Sequence, residues 1–355
     1  MNGLIVNTPR SKRIIGPGQP VFIVAEMSGN HNQSFEKACA IIDAAAEAGV
    51  DAVKLQTYTP ETMTIDCDNE YFQVNINEAW KGKTLYNLYK EAYTPWEWQE
   101  KLKNYGESKG LLVFSTPFDE TAVDFLEKLS IEMYKVASFE IGDLELLKKI
   151  AKTGKPVILS RGMASITEIE TALRTLKENG TTQVAILHCV SSYPAAIEQM
   201  NLKTVPDITK RFEVVSGLSD HSLGLTAALV AVSLGASIIE KHFTLNRKDG
   251  GPDAAFSLEP TELKTLVKEI KQIEKALGQP NYEKDEQEEK MSKYKRSLFV
   301  VKDIKAGEFL TKDNIRCIRP GYGLPPSDLS RILHKKIIKD IKKGTPLNWE
   351  FIDNN

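Results

Sequence analysis

From Val21 onward the chain alternates short runs of aliphatic and β-branched residues with longer stretches whose apolar positions recur every three or four residues. The runs VFIVAE (21–26), DAVKLQT (51–57), LLVFST (111–116), MYKVAS (133–138), PVILSR (156–161), QVAILHCV (183–190), EVVSGL (213–218) and SIIEKHF (237–243) read as eight strands. The stretches between them carry helix punctuation. Ser34 offers a cap to a helix whose Phe35, Ala38, Ile41, Ile42 and Ala45 share one face, and Gly49 ends it. Thr94-Pro95-Trp96-Glu97 supplies a cap, a first-turn proline and an N3 glutamate, and Ser165 with Glu168 forms a capping box. Leu263, Leu266, Val267, Ile270, Ile273 and Leu277 make a stripe that Gly278 and Pro280 stop. Eight βα units in succession predict an α/β fold with a parallel sheet, and closing that sheet into a (β/α)8 TIM barrel leaves no unpaired edge. An open doubly wound sheet is the alternative, but no GxGxxG follows the first strand to recommend it.

Two stretches interrupt the rhythm. Residues 58–93 are a long insertion after the second strand, with the aromatic-rich WKGKTLYNLYKEAY inside it, and long loops at that end of a barrel cover active sites. The charge-dense EKDEQEEKMSKYKR reads as a solvated linker or exposed helix at 283–296. It separates a barrel domain, 1–282, from a small β-rich domain, 297–355, whose DIK-x-G pieces at 303–307 and 340–344 resemble a weak internal duplication. A domain so small has a marginal core and gains from packing against a partner.

If the strands run parallel, their C-terminal ends meet on one face. That face collects Glu26, Lys54, Gln56, Ser115, Thr116, Lys135, Ser138, Glu140, Ser160, Arg161, His188, Ser191, Tyr193, Ser219, Asp220, His221, Glu240, Lys241 and His242. Charges inside apolar strands are expensive to bury alone, whereas at one barrel mouth they can be paired, hydrated or bound to ligand. Each has a plainer reading. Lys54 and Lys135 either snorkel outward between helices or, with the hydroxyls, hold a phosphate and a carboxylate. Glu26 and Glu140 are either structural partners of those lysines or reacting groups. Arg161 and Tyr193 read equally as rim packing, and Cys189 as a buried thiol. His221 and His242, ending adjacent strands, either share a divalent metal or are hydrogen-bonded core residues; two imidazoles would leave open positions for substrate and water. His31 is placed to touch substrate from the first loop, His188 to orient a neighbour, and His334 to lie on the surface.

Composition narrows the classes without naming one. Over 355 residues, 41% hydrophobic and 26% charged content are those of a soluble protein with a sizeable core, and a net charge of -2 gives no electrostatic case for nucleic acid or anionic membrane. No apolar run approaches the roughly 20 residues that span a bilayer. The start, MNGLIVNTPRSKR, lacks the features of a signal peptide, and Cys39, Cys67, Cys189 and Cys317 form no CxxC pair. A cytoplasmic protein with reduced thiols is the expectation.

The segments FIVAEMSGNHNQSFEKACAIIDAAAEAGVDAVKLQTYTPETMTID, YKVASFEI, LSDHSLG and IIEKHFTLNRKDGGPDAAFSLEP resemble the sialic acid synthase family, and RSLFVVKDIKAGEFLTKDNIRCIRPGYG resembles its antifreeze-like (SAF) domain. Within the family, EMSGNHNQS, KLQTYTPETMT, the 80–98 stretch and CVSSYPA are most similar to the branch that makes pseudaminic acid. In the neuraminate branch an Asn stands where this chain has Ser191. The resemblance implies condensation of phosphoenolpyruvate with an amino-sugar aldehyde, here the L-altrose form of 2,4-diacetamido-2,4,6-trideoxyhexose, with N-acetylneuraminate or legionaminate synthesis as the alternative. It implies that Thr116, Lys135, Ser138, Ser160, Ser191 and Ser219 bind phosphoenolpyruvate. His221 and His242 would bind Mn2+ or Mg2+, with Co2+ a further candidate. Glu26, Lys54, Gln56, Glu140, Tyr193 and Asp253 would line the sugar and reacting centre. Arg319 would reach the partner subunit's barrel in a domain-swapped homodimer. Outside the family the rivals are another metal-dependent barrel aldolase, which releases no phosphate, and a non-enzymatic carbohydrate- or ice-binding module, which leaves the polar strand ends unexplained.

Overall fold

The computed structural model describes residues 3–74 and 82–353, so part of the 58–93 insertion lies outside the described residues. The chain divides into two compact units, Met1–Gly278 and Gln279–Asn355.

The first unit opens with a hairpin the strand reading missed: β1 (Leu4–Asn7) pairs antiparallel with β2 (Lys12–Ile15). The parallel strands then follow: β3 (Phe22–Glu26), β4 (Ala52–Thr57), β5 (Leu112–Pro117), β6 (Tyr134–Val136), β7 (Val157–Ser160), β8 (Val184–Cys189), β9 (Val215–Asp220) and β10 (Ile238–His242). Each pairs with the next, and β10 pairs with β3, closing the barrel. Each falls on a stretch chosen from the apolar runs, although β5 extends one residue and β9 two residues past the expected C-terminal ends. Because side chains alternate across a strand, one residue in two faces the barrel interior. Phe22, Val24, Ala52, Leu112, Phe114, Met133, Ile158, Ala185, Leu187, Val215 and Ile238 form that interior, and Leu4, Val6 and Ile15 of the hairpin pack with them. The opposite parity packs against the helices in two further clusters. The interior is thus solid at the end where strands enter, and polar groups are left only at the exit.

Helix signals were legible with one exception. Ser34 accepts from the Lys37 amide, Gly49 ends that helix at φ 84°, and Ser165 with Glu168 forms its box. The helix Trp96–Ser108, by contrast, begins after Pro95 with no side-chain cap. Thr94 does not cap it because its hydroxyl is committed to His31 Nε2 at 3.1 Å. Leu277, placed on the apolar stripe, is 54% exposed in the last turn of the helix Pro260–Leu277.

The second unit begins with a short exposed helix, Glu286–Ser292. Its β-rich body contains β11 (Ser297–Val300) and β12 (Ile315–Ile318), antiparallel, around a core of Leu298, Val300, Ile304, Ile315, Ile337 and Ile341. The two DIK pieces pair reciprocally. Ile304 and Ile341 exchange backbone hydrogen bonds of 2.9 and 2.8 Å, while Lys305 meets Asp340 and Lys342 meets Asp303 at 2.8 and 2.9 Å.

Candidate active site

The inward parity that places Phe22 and Val24 in the core places Glu26 at the exit of β3, and the same count selects polar residues from six of the other seven strands. On β4 it gives Lys54 and Gln56, on β5 Thr116, on β6 Lys135, on β7 Ser160, on β9 Ser219, and on β10 Glu240 and His242. Strand register then decides who meets whom: Glu26 pairs with Lys54 and His242, Gln56 with Thr116, and Glu240 with Ser219.

Two lysines and two carboxylates occupy the centre. Lys54 Nζ lies 2.9 Å from Glu26 and 3.5 Å from Glu240, and donates to Thr116 Oγ1 at 3.2 Å. Lys135 Nζ donates to Ser160 Oγ at 2.6 Å and lies 3.9 Å from Glu240. Ser219 Oγ donates to the same Glu240 oxygen at 2.9 Å, and Gln56 Nε2 donates to Glu26 at 3.1 Å. Both lysines therefore point inward, and neither snorkels between helices. Glu240 is the residue given no role in the sequence reading, yet it joins both lysines and Ser219. The signal that could have found it was its parity with His242, two positions on.

Burial and charge act against each other here. Burial, reinforced by Glu240 and opposed by Lys54, raises the Glu26 carboxyl to about 7. Burial likewise raises Glu140 to about 7 although Lys135 pulls it down, and its Oε2 is buried without a hydrogen-bond partner. Burial would raise Glu240, but Lys135 and Lys54 outweigh it and hold this carboxylate below its ordinary value. Burial lowers Lys135 despite Glu240. For Lys54 burial also pulls down, and Glu240 and Glu26 together prevail and raise it.

Hydroxyls flank this cluster. Ser138 and Ser191 lie 2.9 Å apart, on the loops after β6 and β8. Gly162, after β7 with φ 42°, packs against both: a Cβ there would fall 2.3 Å from Ser138 Cβ and 2.8 Å from Ser191 Oγ. Only glycine lets that loop close on the two serines.

On the other side His221 and His242 stand with ring centroids 5.4 Å apart, between Tyr193, 4.5 Å from His221, and Phe256, 4.9 Å from His242. His221 Nδ1 donates to the Val190 carbonyl at 2.9 Å, which leaves the Nε2 lone pair available. His242 Nδ1 is buried with no hydrogen-bond partner, 3.9 Å from Asp253. Asp253 is held by the Ser28 hydroxyl and its own carboxyl is raised, chiefly by burial. Both imidazoles are lowered by burial and stay neutral, the protonation state a metal ligand needs. The pair fits a divalent ion, although among the described residues no group of three or more His, Cys, Asp or Glu is arranged to hold one.

Opposite parity removes several residues from the ring. Asp220 and Lys241 face away from the interior and form a fully buried ion pair at 2.7 Å. Ser115 meets Thr57 at 2.6 Å. Arg161 donates through Nε and Nη2 to His188 Nδ1 at 3.1 and 2.9 Å, while His188 Nε2 donates to the Met200 carbonyl. Arg319 and His334 are exposed and belong to the second unit.

His31 is a structural residue rather than a substrate contact. It is wholly buried, donates to Thr94, accepts the Gln33 amide at 3.1 Å and packs edge-on against Trp98 at 5.7 Å. Burial first, then Lys37, lowers its pKa from 6.5 to about 4. Between those values the unfolded chain binds a proton that the folded chain refuses, so stability rises with pH across that window. As pH falls from 6.5 toward 4, on the order of 3 kcal/mol should be lost through this one group. Urea denaturation between pH 7 and 4 is expected to show a shallower pH slope for His31→Gln than for the parent chain, and equal slopes would refute this account.

Comparison with known proteins bears on the same residues. The model of the NeuB family matches residues 41–282, and that of the SAF domain matches 295–353. The pseudaminic acid synthase of Helicobacter pylori is 43% identical over 95% of this chain and 99% of its own length, and that of Campylobacter jejuni serotype O:2 is 42% identical over 92% and 95%. Among solved structures, an N-acetylneuraminic acid (sialic acid) synthetase from Leptospira borgpetersenii, determined with citrate, superposes with a TM-score of 0.72 at 36% identity, covering 82% of this chain and 95% of that one. With the barrel and the SAF unit both matched, and relatives above 40% identity along nearly the full length, the chain belongs to the NeuB family.

Proposed function

We propose that the chain is a pseudaminic acid synthase, joining phosphoenolpyruvate to 2,4-diacetamido-2,4,6-trideoxy-L-altrose and water with release of phosphate. The observation that carries this reading is the charged centre, in which two buried lysines and a collar of serines adjoin two neutral imidazoles in one barrel mouth. Its similarity to the two pseudaminic acid synthases points to the sugar.

In this reading Lys135, Ser160, Ser138 and Ser191 bind the phosphate and carboxylate of phosphoenolpyruvate, with Ser219 and Thr116 completing the set. Lysine supplies the charge and the hydroxyls supply directed donors. His221 and His242 would hold Mn2+, Mg2+ or Co2+, which supplies Lewis-acid polarisation of the aldehyde oxygen when bound. Phosphoenolpyruvate C3 then bonds to the aldehyde carbon, and the former C2 becomes electron-poor. Glu26, oriented by Gln56 and with its pKa near neutrality, takes the proton lost by the water that adds at that carbon, and a proton is returned to the alkoxide oxygen left by carbon–carbon bond formation. Phosphate leaves by C–O cleavage. Glu140 and Lys54 steady the charge that shifts during these steps, and Tyr193 and Asp253 border the sugar beside the imidazoles.

The partner assignment belongs here too. Phe139, Met163 and Leu223, each more than 60% exposed, follow β6, β7 and β9 at the exit face. A homodimer in which the partner subunit's SAF domain covers this rim and contributes Arg319 to the sugar accounts for them. No helix among the described residues is long and apolar enough to cross a membrane, and the four cysteines are free, which suits a reducing cytoplasm.

Phosphate release from phosphoenolpyruvate, measured with the altrose-series diacetamido sugar, its legionaminate-precursor isomer and N-acetylmannosamine, tests the reading. The first sugar should give the highest kcat/KM by at least about tenfold. Release with another sugar only would reassign the substrate, and no release with any would end the synthase reading.

A further inference from the structure

Directly beyond Gln56 and Thr116, which pair across β4 and β5, each chain segment adds an aromatic residue of the same inward parity, Tyr58 and Phe118. Their rings meet edge-on at 5.2 Å. Tyr89, on the insertion helix Leu85–Ala92, meets Tyr58 edge-on at 5.7 Å. The cluster is anchored rather than loose. Tyr58 is 2% exposed, its carbonyl accepts from the Trp96 indole at 3.0 Å, and the Phe118 amide donates to the Thr57 carbonyl at 3.3 Å.

The insertion helix is itself docked on the first loop. Gln33 Nε2 donates to the Tyr93 carbonyl at 2.6 Å, and a Cβ on Gly29 would fall 3.0 Å from the Ala92 carbonyl oxygen. The tyrosines also lie beside the reacting groups. After burial, Asp253 and Glu26 act on the Tyr58 phenol, and Glu140 acts on that of Tyr89, all raising them.

The mouth therefore has two sides of different chemistry. Around Lys135 and Ser160 it is built for an anion. At Tyr58, Phe118 and Tyr89 it is lined by aromatic rings and two phenol O–H groups. Resting on the synthase reading above, we propose that Tyr58 and Tyr89, backed by Phe118, decide which sugar is accepted. The half-buried ring of Tyr89 takes a methyl or acetamido substituent of a deoxy diacetamido sugar, the buried ring of Tyr58 fixes its position, and the phenols donate to an acetamido carbonyl. A sugar with hydroxyls at those positions turns them onto ring carbon, where they lose their water partners, and a penalty of about tenfold to a hundredfold is expected. The aromatic wall thus selects against hydroxylation, while the serine and lysine side is indifferent to it.

The test measures kcat and KM for the altrose-series diacetamido sugar, for N-acetylmannosamine and for phosphoenolpyruvate in the parent chain and in Tyr58→Phe, Tyr89→Ala and Tyr89→Leu. Tyr89→Ala should lower kcat/KM for the diacetamido sugar about 10- to 100-fold and shrink its advantage over N-acetylmannosamine, with KM for phosphoenolpyruvate unchanged. Tyr58→Phe, which keeps the ring and removes the O–H, should raise KM for the diacetamido sugar about 3- to 10-fold. Tyr89→Leu keeps bulk, so it decides the matter if the alanine variant does not fold. Equal losses for both sugars, a parallel rise in KM for phosphoenolpyruvate, or an unmoved preference would overturn the assignment while leaving the synthase reading intact. A parent chain that turns over neither sugar would overturn both.

Discussion

Replacing Lys135 with methionine is expected to lower kcat/KM for phosphoenolpyruvate by roughly 30- to 5,000-fold, the largest effect of any single change on the anion side. The side chain is buried, its ammonium donates to Ser160 at 2.6 Å, and it is one of two cations facing Glu240. Truncating one member of a buried charge pair costs about 2–5 kcal/mol, and here Glu240 would keep only Lys54 as its counter-charge. Methionine fills most of the volume, so the loss is electrostatic rather than a cavity. If Lys135 binds phosphoenolpyruvate, KM for that substrate rises and KM for the sugar does not. A change of less than twofold in KM for phosphoenolpyruvate would remove Lys135 from the anion site and leave it a structural partner of Glu240.

His242→Ala should abolish turnover, with kcat down by more than about a hundredfold, while the variant stays folded. Its Nδ1 makes no hydrogen bond, so no partner is stranded by its removal. Chelation of the parent enzyme should have the same effect, reversed by added Mn2+, Mg2+ or Co2+. Full activity in chelator would exclude the Lewis-acid role. The same variant reports on assembly. If the partner subunit's Arg319 completes each site, His242→Ala and Arg319→Ala chains, each impaired alone, should recover about a quarter of parental activity after mixing under conditions that exchange subunits. In the mixed dimer one mouth carries both defects and the other carries neither. Absence of recovery, with exchange confirmed, would place Arg319 in its own subunit's chemistry or in none.

The sequence was legible where local physics rules. Apolar runs of strand length separated by 3.6-period helices identify each barrel strand, because buried parallel strands must be apolar on both faces. The hairpin at 4–15 escaped because LIVN and KRII are four residues each, too short for a periodic signal, and KRII buries only Ile15. Thr94 misled for a different reason. Its spacing to Glu97 fits a capping box, but a buried imidazole 63 positions away claims the hydroxyl.

The sequence by itself determined that charged and hydroxyl residues sit at the ends of apolar strands, since such residues interrupt the runs visibly. Parity and register, which belong to the closed barrel, decided which of them share a pocket. Ser160 and Arg161 are consecutive, as are Glu240 and Lys241, yet the pleat sends the first of each pair into the barrel mouth and the second to the outer layer. The meeting of Lys54 with Glu240, and of Tyr58 with Phe118 and Tyr89, joins segments far apart in the chain, and no local pattern encodes it. Pairing of β10 with β3 closes the barrel and brings Glu240 to Lys54, whereas Tyr58 and Phe118 meet because β4 and β5 are neighbours and Tyr89 is carried in by the insertion helix.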